Sequence, residues 1–139
     1  MEYSSDLAMY KAEIANYNNQ IKENQQKILN LENEIIQMKD ISGNIENLKG
    51  QIPILVNTYI NLVESSDFKG RNEKEFSDKQ DNIKDDTQNY LDKIDNTIIA
   101  DIFDEISYKM QKIASLNAHI SALESLKMNL RVPKPSDYD

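Results

Sequence analysis

Apolar residues in the first part of the chain return at alternating intervals of three and four. From Leu7 they fall at Tyr10, Ile14, Tyr17, Ile21, Ile28, Leu31, Ile35 and Met38, with Asn24 filling the one polar slot. This heptad spacing, held for more than four repeats, predicts a long helix with a single apolar seam. A polar residue at one seam position costs stability and can fix the register of pairing, so Asn24 reads either as a register device or as a tolerated flaw. Beyond Met38 the next apolar residues are Ile41, Ile45, Leu48 and Ile52, which predicts a shift of frame. Pro53 removes the bond its nitrogen would make to the carbonyl of Lys49, so a kink is expected near Gly50–Pro53. Helical spacing resumes at once through Ile52, Leu55 or Val56, Tyr59, and Leu62 or Val63.

Small polar residues from Ser65 to Asp67, followed by Gly70, predict a turn over about 65–71, and Asn72 with Glu75 reads as an N-cap and capping box. A second stripe then runs through Phe76, Ile83, Tyr90, Ile94, Ile98, Ile102, Ile106, Met110, Ile113, Leu116, Ile120 and Leu123. Pro133 and Pro135 end it, leaving a mobile tail over 131–139. The expected fold is all-α: a long antiparallel two-helix hairpin, coiled-coil-like, with helix 1 over about 5–64 and helix 2 over about 72–130. Each arm has roughly 60 residues, or about 90 Å of helix. A hairpin centred near Phe68 sets residue i against about 136 − i. Leu7, Tyr10, Ile14, Tyr17 and Ile21 then form the intramolecular seam with Ile113, Leu116, Ile120 and Leu123.

Near the turn the two arms do not match. The apolar stretch Ile52 to Val63 lies opposite residues 73–84, which offer little beyond Phe76 and Ile83. Ile98, Ile99, Ile102 and Phe103 make a stripe wider than a two-helix seam covers. Such a surplus calls for another chain, so Ile52, Leu55, Tyr59, Leu62, Val63, Phe76, Ile98, Ile99, Ile102 and Phe103 are the expected partner-binding residues.

Composition fits long helices better than a thick globular core. Only 39% of the residues are hydrophobic and 7% aromatic, without tryptophan, and three glycines and three prolines are too few for the turns of a β-sandwich. The net charge of −8 spreads evenly about Glu64, with 5 basic and 9 acidic residues up to it and 11 and 15 after it. Nucleic acid and anionic membranes are poor partners for such a chain, since both recruit basic stripes. There is no cysteine for disulfide or thiolate chemistry. The start, Met1 to Asp6, has neither a basic nor an apolar run, so no Sec-type signal peptide or membrane span is expected. The expected location is the cytoplasm, and any export would use a route without a cleaved signal.

Candidate chemistry is sparse. His119, the one histidine, has Ala118 and Ile120 as neighbours and reads as a packed or solvated helix histidine. Asp78, Asp81, Asp85 and Asp86 could share a helix face, yet they lack an EF-hand loop or a Glu-x-x-His pair and read as a solvated face. No enzyme, cofactor or metal site is expected. Tyr10 and Tyr17 stay in register with Leu7, Ile14 and Ile21 and read as seam packing.

Two long arms meeting at Phe68-Lys69-Gly70, an aromatic-x-Gly motif at mid-chain, resemble the WXG-type helical hairpins of type VII secretion, with phenylalanine in place of tryptophan. A large ring can wedge at the bend while Gly70 permits a tight backbone. At 139 residues the chain is most similar to the small partner proteins of LXG toxins, the YwqH-like family. The resemblance covers about Leu7 to Leu130 in architecture, with Phe68, Gly70 and the following Phe76 as its local motif. It implies binding to the helical N-terminal LXG domain of a toxin of a Gram-positive bacterium, alongside a second small helical partner in some assemblies, and support of toxin export. Type VII substrates commonly carry Tyr-x-x-x-Asp/Glu, and no tyrosine here satisfies it: Tyr90 is followed by Ile94, Tyr108 by Lys112, and Tyr138 only by Asp139. Two other readings fit a helical hairpin. One is a prefoldin-like chaperone subunit, with residues 52–63 as strands; the other is a self-associating structural coiled coil, for which a homodimer would form in isolation.

Overall fold

A computed structural model describes residues 2–64 and 73–138. The protein is an all-α helical hairpin. α1 spans Glu2–Glu64, α2 spans Glu73–Lys93, a π-helical turn spans Ile94–Ile99, α3 spans Ala100–Asn129, and a short 3-10 helix spans Pro135–Tyr138. α1 runs through Pro53 without a break. The expected turn with Phe68 and Gly70, and the Asn72 cap, lie outside the described residues. The fold separates into two compact units, one of residues 1–35 with 107–139 and one of residues 36–106.

In the first unit the seam of α1 follows the expected heptads. Ile21, Ile28 and Ile35 are buried, and Leu7, Tyr10, Ile14, Tyr17 and Leu31 are half-buried. α3 supplies buried Leu123 and half-buried Ile113, Leu116 and Ile120. The register differs from expectation. Asn24 Nδ2 lies 3.0 Å from His119 Nδ1, Lys109 Nζ donates to Glu34 at 2.7 Å, and Lys127 Nζ donates to Asn18 at 2.9 Å. These contacts pair residue i with about 144 − i, so each opposing residue lies about one heptad beyond the one that a centre at Phe68 gives. Ile21 thereby comes level with Leu123, and Tyr10 with the segment around Pro133.

A one-heptad slip exchanges apolar residues for apolar residues, so hydrophobic spacing cannot distinguish the two registers. The polar pair can. At the expected register Asn24, only 6% exposed, would face Lys112 and Ile113, whereas at the observed register it meets a hydrogen-bonding ring nitrogen. Asn24 is therefore a register device, and His119 is its partner.

The tail folds back instead of projecting free. The Tyr138 phenol donates to Asp6, the Tyr138 ring packs 5.6 Å from that of Tyr3, and Asp137 accepts from Arg131 at 2.8 Å and from the Lys134 backbone N–H at 3.0 Å. Donation to the Asp6 carboxylate, with further carboxylates nearby, pushes the Tyr138 phenol from 10.0 up to about 12. The tail contact is complete below pH 10.0 and is lost as pH rises through about 12.

Two outcomes follow. Asn24→Ala, which removes the buried amide that meets the exposed His119 ring, should cost about 0.5–1.5 kcal/mol in urea unfolding, and a double-mutant cycle with His119→Ala should return a coupling of roughly 0.5–1.5 kcal/mol. Additive single effects would contradict the pairing. In ultraviolet titration, the difference between wild type and Tyr138→Phe should show a phenol ionising near pH 12, and Asp6→Asn should lower that midpoint.

Candidate interaction surface

The second unit carries the apolar surplus. Its internal seam continues the heptads of α1 through Met38, Ser42, Ile45, Lys49, Ile52 and Val56, then steps to Ile60 and Val63. The expected change of frame after Met38 does not occur in this seam: Ser42 is buried and Ile41 is 51% exposed. Lys49 occupies the next seam slot while Leu48 is 60% exposed. Heptad geometry holds the frame even where the seam residue is polar and its neighbour is not.

Lys49 is accommodated by ions from two elements. Its ammonium donates to Asp95 and lies 3.4 Å from Glu46. The hydrogen bond to Asp95 foremost, with help from Glu46, raises its pKa above the usual 10.5, against the lowering effect of partial burial. The pair is intact below that value and lost only at still higher pH. Asp95 reaches the seam because of the π-turn. Ala100 N–H donates to the Asp95 carbonyl five residues back, which adds one residue to the turn and spaces the seam Leu91, Asp95, Ile99. After this, Ile102, Ile106 and Lys109 resume the heptads. The π-turn also explains the wide stripe read from the sequence. It buries Leu91 and Ile99 and turns Tyr90 and Ile98 outward, whereas those two were expected on the seam stripe. Farther along, Lys109, paired to Glu34, takes the slot expected for Met110.

A second series lies beside the internal seam of α1. Ile41, Ile45, Leu48, Ile52, Leu55, Tyr59 and Leu62 keep the same alternation of four and three without a polar interruption. Ile45 and Ile52 belong to both seams and are half-buried; Ile41, Leu48, Leu55, Tyr59 and Leu62 are 51–67% exposed. In an antiparallel pair, the residues just before each first seam position of both helices flank the seam on one side. On α1 these are Ile41, Leu48, Leu55 and Leu62. On the second arm they include Ile83, Tyr90 and Ile98, which are exposed, and Phe76, which is half-buried. In the first unit the equivalent positions of α1 are Glu13, Gln20, Lys27 and Glu34. On α1 this flank is thus polar in one unit and apolar in the other.

The residues expected to bind a partner divide accordingly. Leu55, Tyr59, Leu62, Ile98 and Phe103 are exposed, Ile52, Val63, Phe76 and Ile102 are half-buried at the seam, and Ile99 is buried in it. Sequence reading missed Ile41 and Leu48 as surface residues because it assigned them to the internal seam. Among the described residues no side chain is completely buried, no group of three His, Cys, Asp or Glu could hold a metal ion, and no helix is long and apolar enough to cross a membrane. No protein family, curated protein or solved structure matches the chain.

The two-seam assignment predicts unequal costs along one helix. Leu48→Ser and Leu55→Ser should change stability by no more than about 0.5 kcal/mol, and Ile60→Ser and Ile99→Ser should each cost about 2–4 kcal/mol. Equal losses in chemical denaturation would contradict it.

Proposed function

We propose that this chain is a non-enzymatic adaptor that binds the helical N-terminal LXG domain of a type VII secretion toxin and supports its export. The observation that carries the binding role is the second apolar seam of α1, from Ile41 to Leu62, which stands in water beside a seam already filled. A helix with two overlapping seams suits the centre of a three-helix packing, and a helical partner supplies the missing third member. The resemblance to WXG-type hairpins and LXG partners supports the identity of that partner. His119 is engaged with Asn24, which fits a structural role rather than general acid or base work.

The prefoldin-like alternative needed strands at 52–63; those residues belong to α1, and no strand occurs among the described residues. Self-association into a structural coiled coil is the remaining rival. Co-expression of the full chain with an LXG domain should yield one complex that co-elutes on size exclusion. The double variant Leu55→Glu, Leu62→Glu, helical by circular dichroism, should lose that complex. A folded wild-type chain that leaves the LXG domain unbound, or that forms the same oligomer with and without it, would contradict the proposal.

A further inference from the structure

Charge is distributed between the units far more unevenly than between the halves of the sequence. Residues 36–106 hold 15 acidic and 8 basic side chains, a net of −7, whereas the other unit holds 9 and 8, a net of −1. The unit with the exposed second seam therefore carries almost all of the chain's net charge. Two copies meeting along this flank would bring −7 against −7 while burying the residues they share. Repulsion of that size opposes self-pairing and favours a cationic visitor.

The second seam also fixes the shape of its occupant. From Ile41 to Leu62 it is 22 residues long, or roughly 33 Å of helix. Its rows alternate by four and three, so a matching helix must carry apolar residues at the same spacing for three heptads. The outer edge of α1 beside this seam is uncharged: Asn44, Gln51 and Thr58 follow one another a heptad apart. That edge offers no ion pairs that would tie the partner to particular acids, so the field of the whole unit sets the preference.

We infer that the Ile41–Leu62 flank is the seat of one amphipathic partner helix of about three heptads whose apolar stripe is edged by Lys or Arg. This rests on the adaptor reading above and adds the chemistry of the helix that docks. The acidic surface draws the helix in and the second seam buries its stripe, while the first unit, with a polar flank, takes no part.

The test uses the full chain and two synthetic helical peptides of 22 residues. Both have Leu at the four-three spacing; one has Lys and the other Glu at the edge positions. Fluorescence anisotropy should show the Lys-edged peptide binding at least about tenfold more tightly at low salt, with the gap narrowing as salt screens the charges. Leu48→Glu with Leu55→Glu should abolish binding, as should Leu48→Ser with Leu55→Ser, which guards against loss of fold by introduced charge. Equal affinity for the two peptides would overturn the inference. So would sedimentation showing a dimer of the chain alone that the same double substitution dissolves, since a second copy would then be the occupant. An LXG domain provides a separate arm. If it binds wild type and the Leu48/Leu55 variants equally, the flank assignment is overturned and the adaptor reading survives. If the Lys-edged peptide binds and the LXG domain does not, the flank assignment holds and the toxin partner is wrong.

Discussion

A seam between two helices covers one stripe on each, and the rest of each helix faces water or another molecule. Every feature of this hairpin depends on which stripe of α1 the second arm occupies. In residues 36–106 the answer is the less apolar of two adjacent stripes, with Ser42 and Lys49 taken inside and Ile41 and Leu48 left outside. Hydrophobic burial alone would rotate α1 by a fraction of a turn and exchange them. The heptads that begin at Tyr3 hold the frame, since a change of stripe in one unit requires the same helix to overwind or underwind on its way.

Polar groups in the seam reinforce that frame. Asn24 against His119 settles register in the first unit, and Lys49 against Asp95 occupies a slot in the second that a leucine would otherwise fill. Both contacts give up some hydrophobic stabilisation for specificity, a known use of polar seam residues. The π-turn at Ile94–Ile99 belongs to the same device: one added residue brings Asp95 to Lys49 and turns Ile98 outward. Ion pairing and surface hydrophobicity are two consequences of one backbone irregularity.

Much of this was legible in the sequence. Helix bounds, the all-α class and the seam members Leu7 to Ile21 and Ile113 to Leu123 follow from spacing alone, because the four-three rhythm has no other common cause. The register was not legible, since a heptad repeat looks the same after a shift of seven. Asn24 held the clue, but its partner lay 95 residues away. The split of α1 into two seams was half legible. Ile41, Ile45, Leu48 and Ile52 form a stripe that reads as the internal one, because Lys49 and Ser42 do not look like core residues until their partners are known. The π-turn left one trace, a stripe of isoleucines too wide for an α-helical face.

Because the chain contains no cysteine, single thiols can report each stripe of α1 directly. Cysteine placed singly at 41, 48 and 55, and at 42, 49 and 56, can be timed against a thiol reagent in the free protein and with an LXG domain bound. Modification should be fast at 41, 48 and 55 and slow at 42, 49 and 56 in the free protein, with the first three slowed when the partner is added. Fast modification at 42 and 49 with protection at 41 and 48 in the free chain, or rates at 41, 48 and 55 unchanged in a complex that has formed, would contradict it.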